Sequence, residues 1–429
     1  MTVLLAILPV FLAIEYRIDL GAVSFMLSEA GAAVLVAAVL VYAARSARLV
    51  VERDELALIF LIAVFAFVSV FLERDKAHAL SLYRDLMAPL VFFALLTSIR
   101  LERREVLALV KGFVLVAAAT ALLGLLQYAT GKYLWVLRPE DVDWQAFKTS
   151  FIRSFFLGEW LRTGTTLPAG LYATTNNFAS YLVIPCLVAY ALGWAPRLQN
   201  GGRTLWRACF LVMLAALFLT FSRGSILTLL VAWVVIRAFR ERHRITPMQM
   251  GLVGAAGTLV VAVIIVSGVF SFDELGTVRG RFIMISAGWE LLIDHPELLI
   301  AGGFTEDYRT HYYAGQLVHN LELYMLIQYG LIVTVAWLLL VARQLGKTYG
   351  LLRSPDPDAR AVALSVFAGV GVTVFVYAQT TSFVDNIQSA MWLFFWLGIA
   401  VHLYRVSGPA AYRVVWVGLT RATAGSAAT

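Results

Sequence analysis

Apolar residues in this chain collect in unbroken runs, at roughly 2–14, 30–44, 56–72, 82–99, 106–129, 178–194, 206–221, 224–239, 250–270, 321–341, 361–380 and 387–404. Runs of this length, without the strict alternation of a half-buried strand, predict helices. Twelve helices are expected, the first two from runs that are short or broken by Gly and Ser. Polar text gathers between the runs. Two stretches of it, 130–177 and 271–320, are far longer than a connection between neighbouring helices requires, and loops of that length are usually functional.

Composition turns twelve helices into twelve membrane spans. The chain is 61% hydrophobic and 14% charged, with a mean hydropathy of +0.81, whereas soluble domains average roughly 45–50% apolar and about 25% charged. A bilayer core of about 30 Å takes about 20 apolar residues per helical span, and each span must satisfy its own backbone. Continuous apolar runs select a helical bundle over a β-barrel. The expected fold is thus an all-α polytopic membrane protein with about 12 transmembrane helices, a single transmembrane domain over residues 1–429. Cys186 and Cys209 fall inside apolar runs and read as buried thiols. The N-terminal run lacks a basic leader and a small-residue cleavage site, so it is expected to be a first span.

Lys and Arg then orient the bundle. Alternate loops carry Arg45, Arg48 and Arg53; Arg100, Arg103 and Arg104; Arg197, Arg203 and Arg207; Arg237, Arg240, Arg242 and Arg244; and Arg343, Lys347, Arg353 and Arg360, with Arg405, Arg413 and Arg421 in the tail. The positive-inside rule assigns these to the cytoplasm and puts both termini there. The net charge of +7 reflects this asymmetry, and no nucleic-acid partner is expected. Both long loops then lie on the far side. Neither a GxxxxGK[ST] nor a GxGxxG string is present to bind a nucleotide.

Candidate chemistry sits in and beside those loops. In 130–177, Trp144, Phe147, Phe151 and Phe155 recur at helical spacing, which predicts a helix lying in the headgroup plane. Asn176 and Asn177 open the next span, where they can cap a helix or bind sugar hydroxyls. Phe221-Ser222-Arg223-Gly224 joins two runs with almost no loop. Arg223 is either an anchoring arginine or half of an anion site, since a guanidinium gives phosphate two parallel hydrogen bonds and a helix N-terminus adds its dipole. Arg279 and Arg281 open the second long loop, and either or both could complete a clamp on a diphosphate. His319, followed by Asn320 and Glu322, stands where that loop enters a span, and an imidazole can accept a proton near neutrality. His295-Pro296 reads as a helix stop. Asp141 and Asp143 have a spacing some metal-dependent transferases use, but no second acidic or histidine cluster supports them, and no HExxH or CxxC string occurs. No metal or other cofactor is expected.

Taken in order, FSRGS at 221–225, GRFIMISAGWELLIDHP at 280–296, the pair Gly302-Gly303 and HNLELYMLIQYG at 319–330 resemble the O-antigen ligase and polymerase superfamily of bacterial envelope glycosyltransferases. The last string matches that family's HNxxLxxxxxxG through His319, Asn320, Leu323 and Gly330, and RTGT with NNFASYL resembles an earlier family stretch through Arg162 and Asn176. The resemblance covers roughly 160–330. It departs where Ile285 replaces a common aromatic, with Trp289 one turn on, and in the spacing around Pro296 and after RTGT.

The resemblance implies a GT-C-like glycosyltransferase architecture in the bacterial inner membrane with a periplasmic active site. It implies an O-antigen ligase, which moves a polysaccharide from undecaprenyl diphosphate to the lipid A core without nucleotide or metal and inverts the anomeric centre. In that reading His319 is the base, Arg223 and Arg281 hold the diphosphate, and Arg279, Asn320, Arg162, Asn176 and Arg84 contact substrate. Its partners are the carrier-linked O-antigen, the lipid A core and membrane lipids. An O-antigen polymerase or a protein O-oligosaccharyltransferase shares the chemistry. A lipid-linked oligosaccharide flippase or other transporter is the alternative of another class; it would place ionisable groups at midplane, whereas the spans here read as nearly charge-free.

Overall fold

The computed structural model describes residues 2–14, 17–20, 23–46, 48–72, 76–131, 168–172, 175–194, 200–240, 284–303, 320–375, 377–379, 387–408 and 415–418. Its helices are α1 (Thr2–Ala13), α2 (Leu27–Ser46), α3 (Arg53–Leu72), α4 (Lys76–Ser98), α5 (Arg103–Thr130), α6 (Thr175–Gly193), α7 (Asn200–Leu219) and α8 (Arg223–Arg240). There follow α9 (284–294), α10 (Leu298–Ala301), α11 (Leu321–Leu351), α12 (Pro357–Phe375), a 3₁₀ turn at Tyr377–Gln379 and α13 (Ile387–Ser407). Every expected run except 250–270, which lies outside the described residues, coincides with one of these helices.

Eight of the described helices are long and apolar enough to cross a membrane, so the chain is a helical multi-pass membrane protein. Of the other four expected spans, 250–270 lies outside the described residues and three are short. The apolar parts of α2 and α8, Ser28–Ala44 and Gly224–Phe239, are shorter than the eight. Helix α1 has 12 residues, a rise of about 18 Å against a core of about 30 Å.

Two helices form the axis of the bundle. The membrane-length window of α13 is 94% buried within the protein, and that of α6 89%, whereas α3 reaches only 33%. Trp392, Phe394, Phe395 and Trp396 of α13 are all enclosed. Phe113 of α5 stacks on Phe395 with ring centroids 4.7 Å apart and meets Trp396 edge-on at 4.9 Å. Close packing of this kind holds membrane helices together, because lipid tails already supply an apolar surrounding. Around the axis, α3 and α7 turn Phe60, Phe71 and Leu211 outward, as lipid-facing surfaces do.

The bundle has two distinct ends. At one, called the basic end here, Arg103 at the start of α5 pairs with Asp356 and Asp358 before and within α12, and Lys347, late in α11, pairs with Glu52 and Glu55 at the start of α3. The other, the loop end, receives the C-terminus of α5 and the N-termini of α4, α6, α8, α11 and α13. Two small antiparallel ribbons add to the helices: β1 (Arg17–Leu20) with β2 (Val23–Met26), and β3 (Arg48–Val51) with β4 (Val415–Gly418). The helix-only expectation left these out.

The ends of the long loops are pinned by neutral hydrogen bonds. Gln127, fully buried in the last turns of α5, accepts from the backbone N–H groups of Ala169 (3.1 Å) and Gly170 (2.9 Å) and donates to the Gly170 carbonyl (2.8 Å). One carboxamide thereby does what a neighbouring strand would do for that short stretch. The interfacial helix expected around Trp144 to Phe155 lies outside the described residues.

Candidate functional site

Among the described residues, the turn that precedes Arg223 and the start of α11 at Asn320 both lie at the loop end. Helix α7 ends in a tight turn in which the N–H groups of Thr220 and Phe221 close back on the carbonyls of Ala216, Leu217 and Phe218. Phe221 adopts φ +54, the left-handed region that a bulky residue enters only at a cost of about 1–3 kcal/mol and that clusters at functional sites. The turn is packed with buried hydroxyls: Thr220, Ser222, Ser225 and Thr228. The Ser222 hydroxyl donates to that of Ser225 at 3.1 Å. Arg223 is the first residue of α8, so the backbone that carries it is a helix N-terminus, where the dipole favours anions.

Helix α11 starts at the same end. Asn320, a residue expected to contact substrate, is its N-cap, with Oδ1 accepting from the Leu323 N–H at 2.9 Å and so satisfying the helix end. Ten residues on, the helix breaks. Gly330 has φ 81 and ψ 176, a conformation open essentially to glycine alone. An intact helix would bond the Ile327 carbonyl to the N–H four residues later. Here it accepts from the Gly303 N–H at 3.2 Å.

Residues 284–303 thus dock on the first part of α11. Leu291, Leu292 and Leu298 form a small core with Leu323 and Ile327. Gly302, at φ +67, lies so close that a Cβ would sit 2.5 Å from the backbone of Gln328 and Tyr329. Pro296 ends α9 as the sequence predicts, and His295 turns back to Glu297 at 3.1 Å. The exposed Glu297 carboxyl is held below its usual range by its own backbone N–H and by His295. The Tyr329 hydroxyl donates to the Leu82 carbonyl of α4 at 3.0 Å, and a narrow crevice remains there between Ser69, Tyr83, Gly303, Gln328 and Tyr329.

The remaining expected residues divide into two groups. Arg84, on α4, is half-exposed and paired with Asp85 at 2.8 Å and Glu29 of α2 at 3.6 Å. Asn176 is exposed on the first turn of α6. His319, Arg279, Arg281 and Arg162, with Asp141 and Asp143, lie outside the described residues, as does the side chain of Arg223. Helices α8 and α11 both pack against the turn Tyr377–Gln379, which joins the elements that begin at Arg223 and Asn320. Among the described residues no group of three or more His, Cys, Asp or Glu is placed to hold a metal.

One cluster escaped the sequence reading. At the basic end Lys347 bonds Glu52 at 2.5 Å and also Glu55, while Arg405 of α13 bonds Glu52 at 3.1 Å and the Thr97 carbonyl. Gln344 donates to Glu55 at 2.7 Å. The four charged side chains are between 2% and 11% exposed. Burial pushes the Glu52 carboxyl up, but Lys347 and Arg405 outweigh it and hold it below the ordinary carboxylate range. The signal was available: Glu52 and Glu55 stand three apart at the mouth of one apolar run, and Lys347 and Arg405 stand at the ends of two others. The spans are therefore not charge-free at this end.

No protein-family model and no curated protein matches this chain.

Proposed function

We propose that this protein is a lipid-linked glycan transferase of the O-antigen ligase type. It moves a polysaccharide from undecaprenyl diphosphate to a hydroxyl of the lipid A core. The loop end faces the periplasm of the bacterial inner membrane, with both termini in the cytoplasm. The observation that carries this reading is the shared location of two helix N-termini. One opens on Arg223 and the other on Asn320, directly after His319 in the chain; both helices start at the loop end and pack against the 377–379 turn.

That location suits the chemistry. Two partial positive ends at headgroup depth attract a diphosphate. Arg223 and Arg281 supply the guanidinium groups that stabilise charge on the departing diphosphate, with Arg279 beside them. His319 removes the proton of the attacking hydroxyl. A single displacement inverts the anomeric centre, and two cations take the place of a divalent metal. Arg162, Asn176 and Arg84 lie on the acceptor side in this scheme, and Asn320 chiefly holds the helix that follows the base. The polymerase reading uses the same residues with a second carrier-linked glycan as acceptor.

The deciding experiment uses purified full-length protein in detergent, carrier-linked O-antigen and lipid A core. Glycan joined to the core is expected without added metal and with EDTA present. His319→Ala should abolish the transfer, and Arg223→Ala or Arg281→Ala should lower its rate on the order of 10²-fold or more. Transfer to a second carrier-linked glycan instead would identify a polymerase. Translocation of the carrier without transfer would sink the reading in favour of a flippase.

A further inference from the structure

Helix α11 is two rods joined at Gly330, and the first of them, residues 321–329, is held from outside the helix rather than by its own continuation. Beyond the leucine core it shares with residues 284–303, three contacts fix its C-terminal end. The Gly303 N–H bonds the Ile327 carbonyl at 3.2 Å. Gly302 lies flat against the Gln328–Tyr329 peptide, where any side chain would collide with backbone. The Tyr329 hydroxyl bonds the Leu82 carbonyl of α4 at 3.0 Å, two residues before Arg84 in the same helix. The second rod begins anew, with the Thr334 hydroxyl donating to the Gly330 carbonyl at 2.8 Å.

We propose that Gly302, Gly303, Tyr329 and Gly330 are positioning residues: together they set the direction of the 320–329 rod relative to α4 and so fix the spacing between Asn320 and Arg84. The proposal rests on the transferase reading for its functional consequence, because in that reading Asn320 holds the helix that follows the base and Arg84 contacts the acceptor. The physical logic is that a straight α11 would satisfy its own carbonyls and leave residues 284–303 without their backbone anchor. Breaking the helix transfers one carbonyl to the docked segment, so the segment and the rod hold each other. Placement errors of about 1 Å at a reacting centre cost on the order of 10²-fold in rate, so a contact set that fixes orientation acts on turnover more than on binding.

Two variants and two measurements test this. Gly330→Ala disfavours the break and should straighten the helix; Tyr329→Phe removes a single hydroxyl and leaves the packing in place. Spin labels at Ile300 and Leu331, both exposed, in a background with Cys186 and Cys209 replaced by Ala, report the angle between the docked segment and the second rod. In the otherwise unaltered protein a single narrow distance is expected, and in Gly330→Ala a shifted or broadened one. In the transfer assay Gly330→Ala should lower kcat at least about tenfold with KM within about twofold, and Tyr329→Phe should lower kcat by a smaller factor, again without a change in KM. An unchanged distance in Gly330→Ala overturns the proposal, as does a shifted distance with unchanged kcat. If Gly330→Ala does not assemble, wild-type kcat in Tyr329→Phe overturns it. Absence of transfer by the parent protein would defeat the transferase reading instead, and the distance measurement would still decide whether the break orients the rod.

Discussion

The two ends of the bundle are held by opposite chemistry. The basic end closes on full charges, with Lys347 and Arg405 against Glu52 and Glu55, and Arg103 against Asp356. Among the described residues the loop end closes mainly on neutral bonds to backbone: Gln127 to Ala169 and Gly170, Tyr172 and Gln388 to the Leu12 carbonyl, Gly303 to Ile327, with the Arg84 pairs to Asp85 and Glu29 as the exception. Buried ion pairs consume their charge, and the quartet of Lys347, Arg405, Glu52 and Glu55 sums to zero. Neutral pinning consumes none. On the proposed reading the loop end presents cations to a phosphorylated substrate, and such an end is better built the second way, because guanidinium groups used as structural clamps cannot also neutralise a ligand.

The comparison can be broken most directly at Lys347. Lys347→Met strips Glu55 of its cation and leaves Glu52 with Arg405 alone, and removing one member of a buried pair typically costs about 3–5 kcal/mol. Thermal unfolding in detergent should show that loss, while transfer per folded molecule stays unchanged. Adding Glu52→Gln and Glu55→Gln should recover part of it. Full stability of the single variant would mean that the quartet contributes nothing. At the other end, Gln127→Leu orphans the N–H groups of Ala169 and Gly170 and the Gly170 carbonyl, at about 1–3 kcal/mol for each group left unsatisfied. Hydrogen exchange at those two amides should accelerate, and unchanged protection would remove Gln127 as the pin.

The smallest effect is a pH dependence. The Asp356 carboxyl is held below its ordinary value chiefly by its hydrogen bond from Arg103, against the opposing effect of burial. Its contribution to stability is present above the unfolded-state value of about 4. It is lost as the pH falls through the lower native value. Because the Arg103 side chain is about half exposed, salt screens the pair and the contribution should stay within about 1 kcal/mol. Arg103→Gln should flatten that acid limb in unfolding measurements; an unaltered limb would assign the acid sensitivity to other carboxylates.

How much of this was legible in the sequence depended on which force set each feature. Spans were legible because lipid leaves the backbone no partner outside its own helix, and so each one had to be written as a long apolar run. The ribbons were not: RIDL and VSFM are four residues each, too short to stand out beside the long apolar runs even with Gly21 between them. The break at Gly330 was hidden inside LYMLIQYGLIVT, since glycine is ordinary in membrane helices and only the partner across the fold, Gly303, shows why the run must stop there. At FSRG the left-handed residue is Phe221, a bulky type that gives no sequence signal for that role. Asn320 and Arg84, read as substrate contacts, also serve the fold: Asn320 caps its own helix at Leu323 and Arg84 pairs with the adjacent Asp85, while Glu29 reaches Arg84 from another helix.

The enclosure of α13 has a consequence for how the protein is made. It is the last of the described membrane-length helices to leave the ribosome, yet it occupies the middle, with 94% of its window shielded from lipid. Until it inserts, the inner faces of α4, α5, α6 and α11 that pack on it must either wait in contact with lipid or close on each other and reopen. Assembly therefore finishes from the inside, and a ribosome stalled before residue 387 would leave a ring of spans around an absent axle.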